Sequence, residues 1–118
     1  MSKPEIFRAP IPKMTTQRLA EEEFEDMVKF VVDLERRVIC AGGGLHSDEE
    51  RLLLEDGSKQ EHLWGGNYYL QDSSELRFEY TSMINLRHNQ GNKSQEIQSP
   101  EIRRQVRDLA AFYFESPS

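Results

Sequence analysis

Residues 99–113 hold the pattern that most restricts what this chain folds into. Ile102, Val106, Leu109, Ala110 and Tyr113 recur at helical spacing and form one apolar stripe, with Arg103, Arg104, Arg107 and Asp108 on the opposite face. Ser99 stands where an N-cap accepts from first-turn amides, and Pro100 fits the first helical position, whose N–H has no intrahelical partner anyway. An amphipathic helix of this length must cover its stripe with another layer. The chain has 118 residues, enough for one hydrophobic core and too few for two. With 36% hydrophobic and 31% charged residues that core is thin, but the apolar residues are clustered and periodic, which argues against disorder.

Strands are expected to supply the second layer. Leu76, Phe78, Tyr80, Ile84 and Leu86 share one parity and Arg77, Glu79, Thr81, Asn85 and Arg87 the other. That alternation predicts a strand over 76–87, or two strands joined by a bulge near Ser82. Residues 64–70 read as a strand entered through Gly65 and Gly66. Residues 31–34 and 38–41 are β-rich and flank Glu35, Arg36 and Arg37. They form either a hairpin, the favoured reading, or the end of a first helix followed by one strand. That first helix is predicted over 17–30, with Thr15 or Thr16 as N-cap and with Leu19, Phe24, Met27, Val28 and Val31 at helical spacing. Pro4, Pro10 and Pro12 keep residues 1–14 an extended arm, with a short edge strand over 6–9. Leu52, Leu53 and Leu54 are a short apolar run closed by an Asp56–Gly57 turn, and residues 115–118 are a frayed tail. The expectation is an α+β fold, one domain over 15–114. It has a mostly antiparallel sheet of about four to six strands, with an N-terminal and a C-terminal helix packed on one face.

Charge and cysteine content narrow the functional classes. The net charge of −6 and pI near 5.1 make general nucleic-acid binding a poor expectation, since affinity there comes from neutralising phosphates. A lone cysteine, Cys40, allows no intramolecular disulfide and fits a reducing cytoplasm. Its apolar neighbours Val38, Ile39 and Ala41 mark it as a small buried hydrophobe. No stretch approaches the roughly 18–20 apolar residues of a membrane span, and residues 1–5 lack the apolar core of a signal peptide. Nothing in the pattern specifies an oligomeric state.

Specialised polar residues gather in two segments, 46–50 and 85–96. In an extended chain His46, Asp48 and Glu50 point the same way, a set suited to a divalent metal, with Asp33 or Glu35 in support. The spacing matches no established metal motif. The alternative is a solvated acidic turn, or ion pairing with Arg36, Arg37 or Arg51. In the second segment Asn85, Arg87, Gln90, Asn92, Lys93 and Ser94 offer the donors that hold a phosphate, carboxylate or other anion, and Gly91 permits close backbone approach. The glycine spacing of a P-loop is absent. The alternative is a turn that satisfies its own backbone through Asn and Ser side chains. Trp64 is either a core anchor or a ligand-stacking face.

Several of these motifs together resemble a small prokaryotic family known only as a domain of unknown function. They are Val32 through Arg36, Ala41 through Asp48, Leu53 through Ser58 with Gln60, Leu63-Trp64-Gly65, and Ile84 through Arg87 continuing to Gln90 through Ser94. The resemblance covers roughly residues 17–114 and implies no activity. Two departures fall in the second segment. His88 stands where the family usually has proline, and Lys93 where it usually has arginine, which weakens a bidentate grip on an anion. Three functions follow. The first, which leans away from an enzyme, is a binding or regulatory module holding a small anionic ligand or a protein partner through residues 85–96. The second is a metal-dependent hydrolase using His46, Asp48 and Glu50. The third is a structural or interaction domain. Convergence of the two polar segments in one concave site would favour a ligand binder or an enzyme.

Overall fold

The computed structural model describes residues 3–117. It is an α+β fold built on one five-stranded antiparallel sheet with three helices. In chain order the elements are β1 (Glu5–Phe7), α1 (Lys13–Glu23), β2 (Met27–Asp33), β3 (Val38–Ala41), α2 (His46–Glu55), β4 (Leu63–Tyr69), β5 (Phe78–Glu79) and α3 (Pro100–Glu115). The sheet order is β1-β3-β2-β4-β5, so β2 is central and pairs with β3 along Phe30–Asp33 and with β4 along its whole length.

Strand parity sorts the core into two layers. Val28, Phe30 and Val32 of β2, Ile39 and Ala41 of β3, and Trp64 and Tyr68 of β4 face one side. There they meet Leu19 and Ala20 of α1 and Val106, Leu109, Ala110, Tyr113 and Phe114 of α3, so the first and last long helices share a face. Val31, Val38, Cys40 and Leu63 face the other side and meet Leu53 of α2. Gly66 lies where β4 passes over Phe30, since an added Cβ would stand 2.7 Å from Phe30 Cζ and 2.5 Å from the Glu79 carbonyl oxygen.

The last helix starts as its sequence specifies, with Ser99 Oγ accepting from Ile102 N. The hairpin reading of 31–41 also holds. Asp33 fixes its turn, one carboxylate oxygen accepting from Glu35 N and Arg36 N while the other accepts from Ser58 Oγ. The edge strand occupies Glu5–Phe7 beside β3. Two residues of the proline-rich arm, Met1 and Ser2, and Ser118 of the tail lie outside the described residues.

Four local expectations are corrected. The first helix begins at Lys13 after Pro12, not at a threonine cap, and ends at Glu23. Residues 27–31 belong to β2, because this stretch pairs throughout with β4, and from Phe30 onward with β3 as well, which outweighs helix propensity. Residues 46–50 are the start of helix α2 rather than extended chain, so Asp48 is turned away from the helix side on which His46 and Glu50 lie one turn apart. The alternation over 76–87 does not produce a long strand. It yields a 3₁₀ turn over Glu75–Arg77, the two-residue β5, and a second 3₁₀ turn over Met83–Asn85. Ser74 and Ser82 each cap a 3₁₀ turn by accepting the amide two residues on, a local bond that competes with a strand ladder.

Candidate functional site

The segment 85–96 wraps the outer edge of β4. Where a strand partner would stand, the Asn85 carboxamide takes its place: Oδ1 accepts from Gly65 N at 2.9 Å and Nδ2 donates to Gly65 O at 3.0 Å. Asn85 also reaches the Tyr80 and Gln95 carbonyls and is fully buried. Arg87 is buried too. Its guanidinium donates to the carbonyls of Ile84, Gln60 and Leu63 and to Gln90 Oε1, and stacks 4.5 Å from the Trp64 ring centroid. Asn92 Nδ2 donates to the carbonyls of Asn85, Ser94 and Glu96, and its Oδ1 accepts from Gln98 N. Gly91, at φ +79°, closes the 3₁₀ turn that carries the chain from Arg87 back to Asn92. Trp64 is 3% exposed and belongs to the main core. Gln90 and Lys93 are exposed, and Ser94 Oγ accepts from Glu96 N. The segment's inward donors thus serve irregular backbone that no sheet ladder satisfies.

The segment 46–50 lies under the same strand without forming a metal set. His46 Nε2 bonds to Gly66 O at 2.7 Å, and since a carbonyl only accepts, this nitrogen carries the proton. Burial lowers the His46 pKa to about 4, against the pull of that carbonyl, so the ring is neutral near pH 7. Glu49, not singled out from the sequence, is fully buried, with Oε2 accepting from Gly43 N and Oε1 without a partner among the described residues. Burial drives its pKa well above the ordinary carboxylate value, against the pull of the Gly43 amide. Asp48 lies 3.8 Å from Arg51, and Glu50 turns toward Gln60. Asp33 is committed to the hairpin turn. Among the described residues no three His, Cys, Asp or Glu side chains come together as metal ligands. The two polar segments meet only through β4: an added Cβ on Gly65 would touch Ser82 and the His46 ring, and Asn85 holds the Gly65 backbone.

A concave site lies elsewhere, at the far end of β4. It is a cleft of about 580 Å³ between the first turn of α1, the turn after β4 and the end of α3. Tyr68, Leu70 and Phe114 give it an apolar wall, with the Tyr68 and Phe114 rings stacked at 4.7 Å. Glu115 fixes its rim. Arg77 grips both Glu115 oxygens, Nε to Oε2 at 2.6 Å and Nη2 to Oε1 at 3.0 Å, and the Tyr68 hydroxyl donates to Oε2. Those bonds hold the Glu115 carboxyl below its usual range, Arg77 first, while burial and then Glu115 push the Tyr68 phenol up to about 12. On the α1 wall the polar groups are uncommitted. Thr16 is 3% exposed and its Oγ1 has no hydrogen-bond partner among the described residues. Lys13 has no ion-pair partner among the described residues. An adjoining hollow of about 480 Å³ shares Gln71, Asp72 and Ser73 with the cleft.

Sequence reasoning missed this site because its parts are far apart in the chain. Thr16 read as a helix cap, Arg77 as an outward strand residue and Glu115 as frayed tail. The available signal was Pro12, which starts a helix without a side chain able to cap it.

A compact α+β scaffold with a structured polar edge and an open cleft is the class of protein this arrangement defines. The chain belongs to the family described as "Protein of unknown function (DUF5674)", whose model matches residues 5–112. This bears out the resemblance read from its motifs. No curated protein and no solved structure matches the chain. Among the described residues no helix is long and apolar enough to cross a membrane.

Proposed function

We propose that this domain is a small-molecule binding module whose ligand occupies the cleft between α1, the end of β4 and α3. The observation that carries the reading is the contrast within that cleft. One wall is fixed by the Arg77–Glu115–Tyr68 bonds, while the Thr16 hydroxyl and the Lys13 ammonium on the other have no partner among the described residues. Binding sites combine an apolar lining with a few convergent polar groups and perturbed titratable residues, and this cleft has all three. The reading keeps the binding module and moves its site away from residues 85–96, whose inward donors already serve the backbone. A hydrolase using His46, Asp48 and Glu50 is disfavoured, because these side chains point to separate partners.

Screening a metabolite library against ¹⁵N-labelled protein tests this. Amide shifts clustered at residues 13–17, 68–77 and 112–115 are expected. Shifts confined to 85–96 would return the site to that segment, and a library without any hit would contradict the reading.

A further inference from the structure

We infer that the cleft takes the oxyanion end of its ligand, a phosphoryl or carboxylate group, against the first turn of α1. This rests on the cleft being the binding site. A helix of 11 residues begins here at Lys13, and Pro12 gives its first-turn amides no side-chain cap. Unpartnered amides at the positive end of a helix attract negative charge. That feature alone would not mark a site, since many helix starts are capped by water. Thr16 supplies the independent observation. Its hydroxyl is out of solvent and without a partner among the described residues, on a residue of the first turn that lines the cleft. A threonine in a helix ordinarily donates back to the carbonyl one turn earlier, yet here Pro12 O receives only the Thr16 backbone N–H. A buried hydroxyl left this way is costly unless something fills its place.

Charge points the same way. The first turn of α1 holds no acidic residue, and Lys13 is a cation with no ion-pair partner among the described residues. On the rim, Arg77 and Glu115 neutralise each other, so they neither attract nor repel a ligand strongly. Asp72, on the opposite wall, accepts from both Ser74 N and Ser74 Oγ through Oδ1 and keeps its negative charge well below neutral pH. A ligand is therefore oriented, oxyanion toward α1 and neutral or donor-bearing end toward Asp72, with its body on Tyr68, Leu70 and Phe114.

Titrating labelled protein with inorganic phosphate and, separately, with acetate tests the inference, with sodium chloride at matched ionic strength as control. Saturable shifts at residues 13–17 are expected with either oxyanion and absent with chloride. Thr16→Val should weaken the apparent affinity up to about tenfold, the value of one hydrogen bond. Thr16→Ser should restore it, and Lys13→Gln should weaken it by a similar factor. Equal shifts in the wild type and all three variants, or no shift at 13–17, would overturn the inference. If uncharged compounds still map to the cleft, its role as a binding site survives and the oxyanion assignment falls. If nothing maps there, both fall.

Discussion

Residues 85–96 and the α1 cleft both concentrate polar side chains, and they differ in where the hydrogen-bonding capacity goes. In the first region the chain is irregular, so its backbone and that of Gly65, Gln60 and Leu63 find partners in Asn85, Arg87 and Asn92. In the second, the wall is a regular helix whose interior amides are already satisfied, and Thr16 and Lys13 are left over. Donor density in a sequence marks either a ligand or a stretch of backbone without a ladder. Burial and partner geometry separate the two cases.

The strongest way to break this contrast is Asn85→Ala. It leaves Gly65 N and the Gly65, Tyr80 and Gln95 carbonyls short of a buried partner. Stability in urea unfolding is expected to fall by about 4 kcal/mol, since each buried group left unsatisfied costs on the order of 1–3 kcal/mol. A loss below about 1 kcal/mol would mean the segment does not hold β4.

The next effect concerns the buried polar groups of α2, and it sharpens the contrast through pH. The His46 pKa is lowered from 6.5 to about 4, so between those values the unfolded chain binds more protons than the folded one. Stability is therefore present above pH 6.5 and falls as pH drops toward 4, by roughly 3 kcal/mol in total. Glu49 acts with the opposite sign. Its folded pKa is raised well above 4.5, so its contribution is full below that value and is lost as pH rises through the folded pKa. His46→Gln should flatten the acid limb of a stability–pH curve and Glu49→Gln the limb at higher pH. Wild-type slopes that persist in both variants would place the titrating groups elsewhere.

The smallest expected effect is Lys93→Ala. Lys93 is exposed and only its backbone N–H is bonded, to Gln98 Oε1. Stability should change by less than about 0.5 kcal/mol, and phosphate binding not at all. Loss of phosphate binding in this variant would restore 85–96 as the anion site.

What was legible in the sequence follows the range of the interactions involved. Helix α3 was readable because its cap and stripe lie within a few residues of each other. The hairpin of β2 and β3 was readable because Asp33 fixes its turn locally. Helix α2 was not, because it opens with His46, Ser47, Asp48 and Glu49 and carries little apolar periodicity before Leu52. The alternation over 76–87 misled because Asn85 and Arg87, on its polar parity, are buried, while Leu76, on its apolar parity, is 77% exposed. Side-chain bonds to a distant strand decided those positions. The cleft was invisible for the same reason: it joins the first turn of α1, the turn after β4 and the last turn of α3.

One crossed measurement tests the central claim most directly: thermal melting of the wild type, Arg87→Ala and Lys13→Ala, each in inorganic phosphate and in chloride at equal ionic strength. Phosphate bound to the native state alone raises the melting temperature. Arg87→Ala should melt well below the wild type in both salts and keep the full phosphate-dependent increment. Lys13→Ala should melt within a few degrees of the wild type in chloride and show a clearly smaller increment. The reverse pattern, with the increment lost in Arg87→Ala and kept in Lys13→Ala, would contradict the assignment of the two regions.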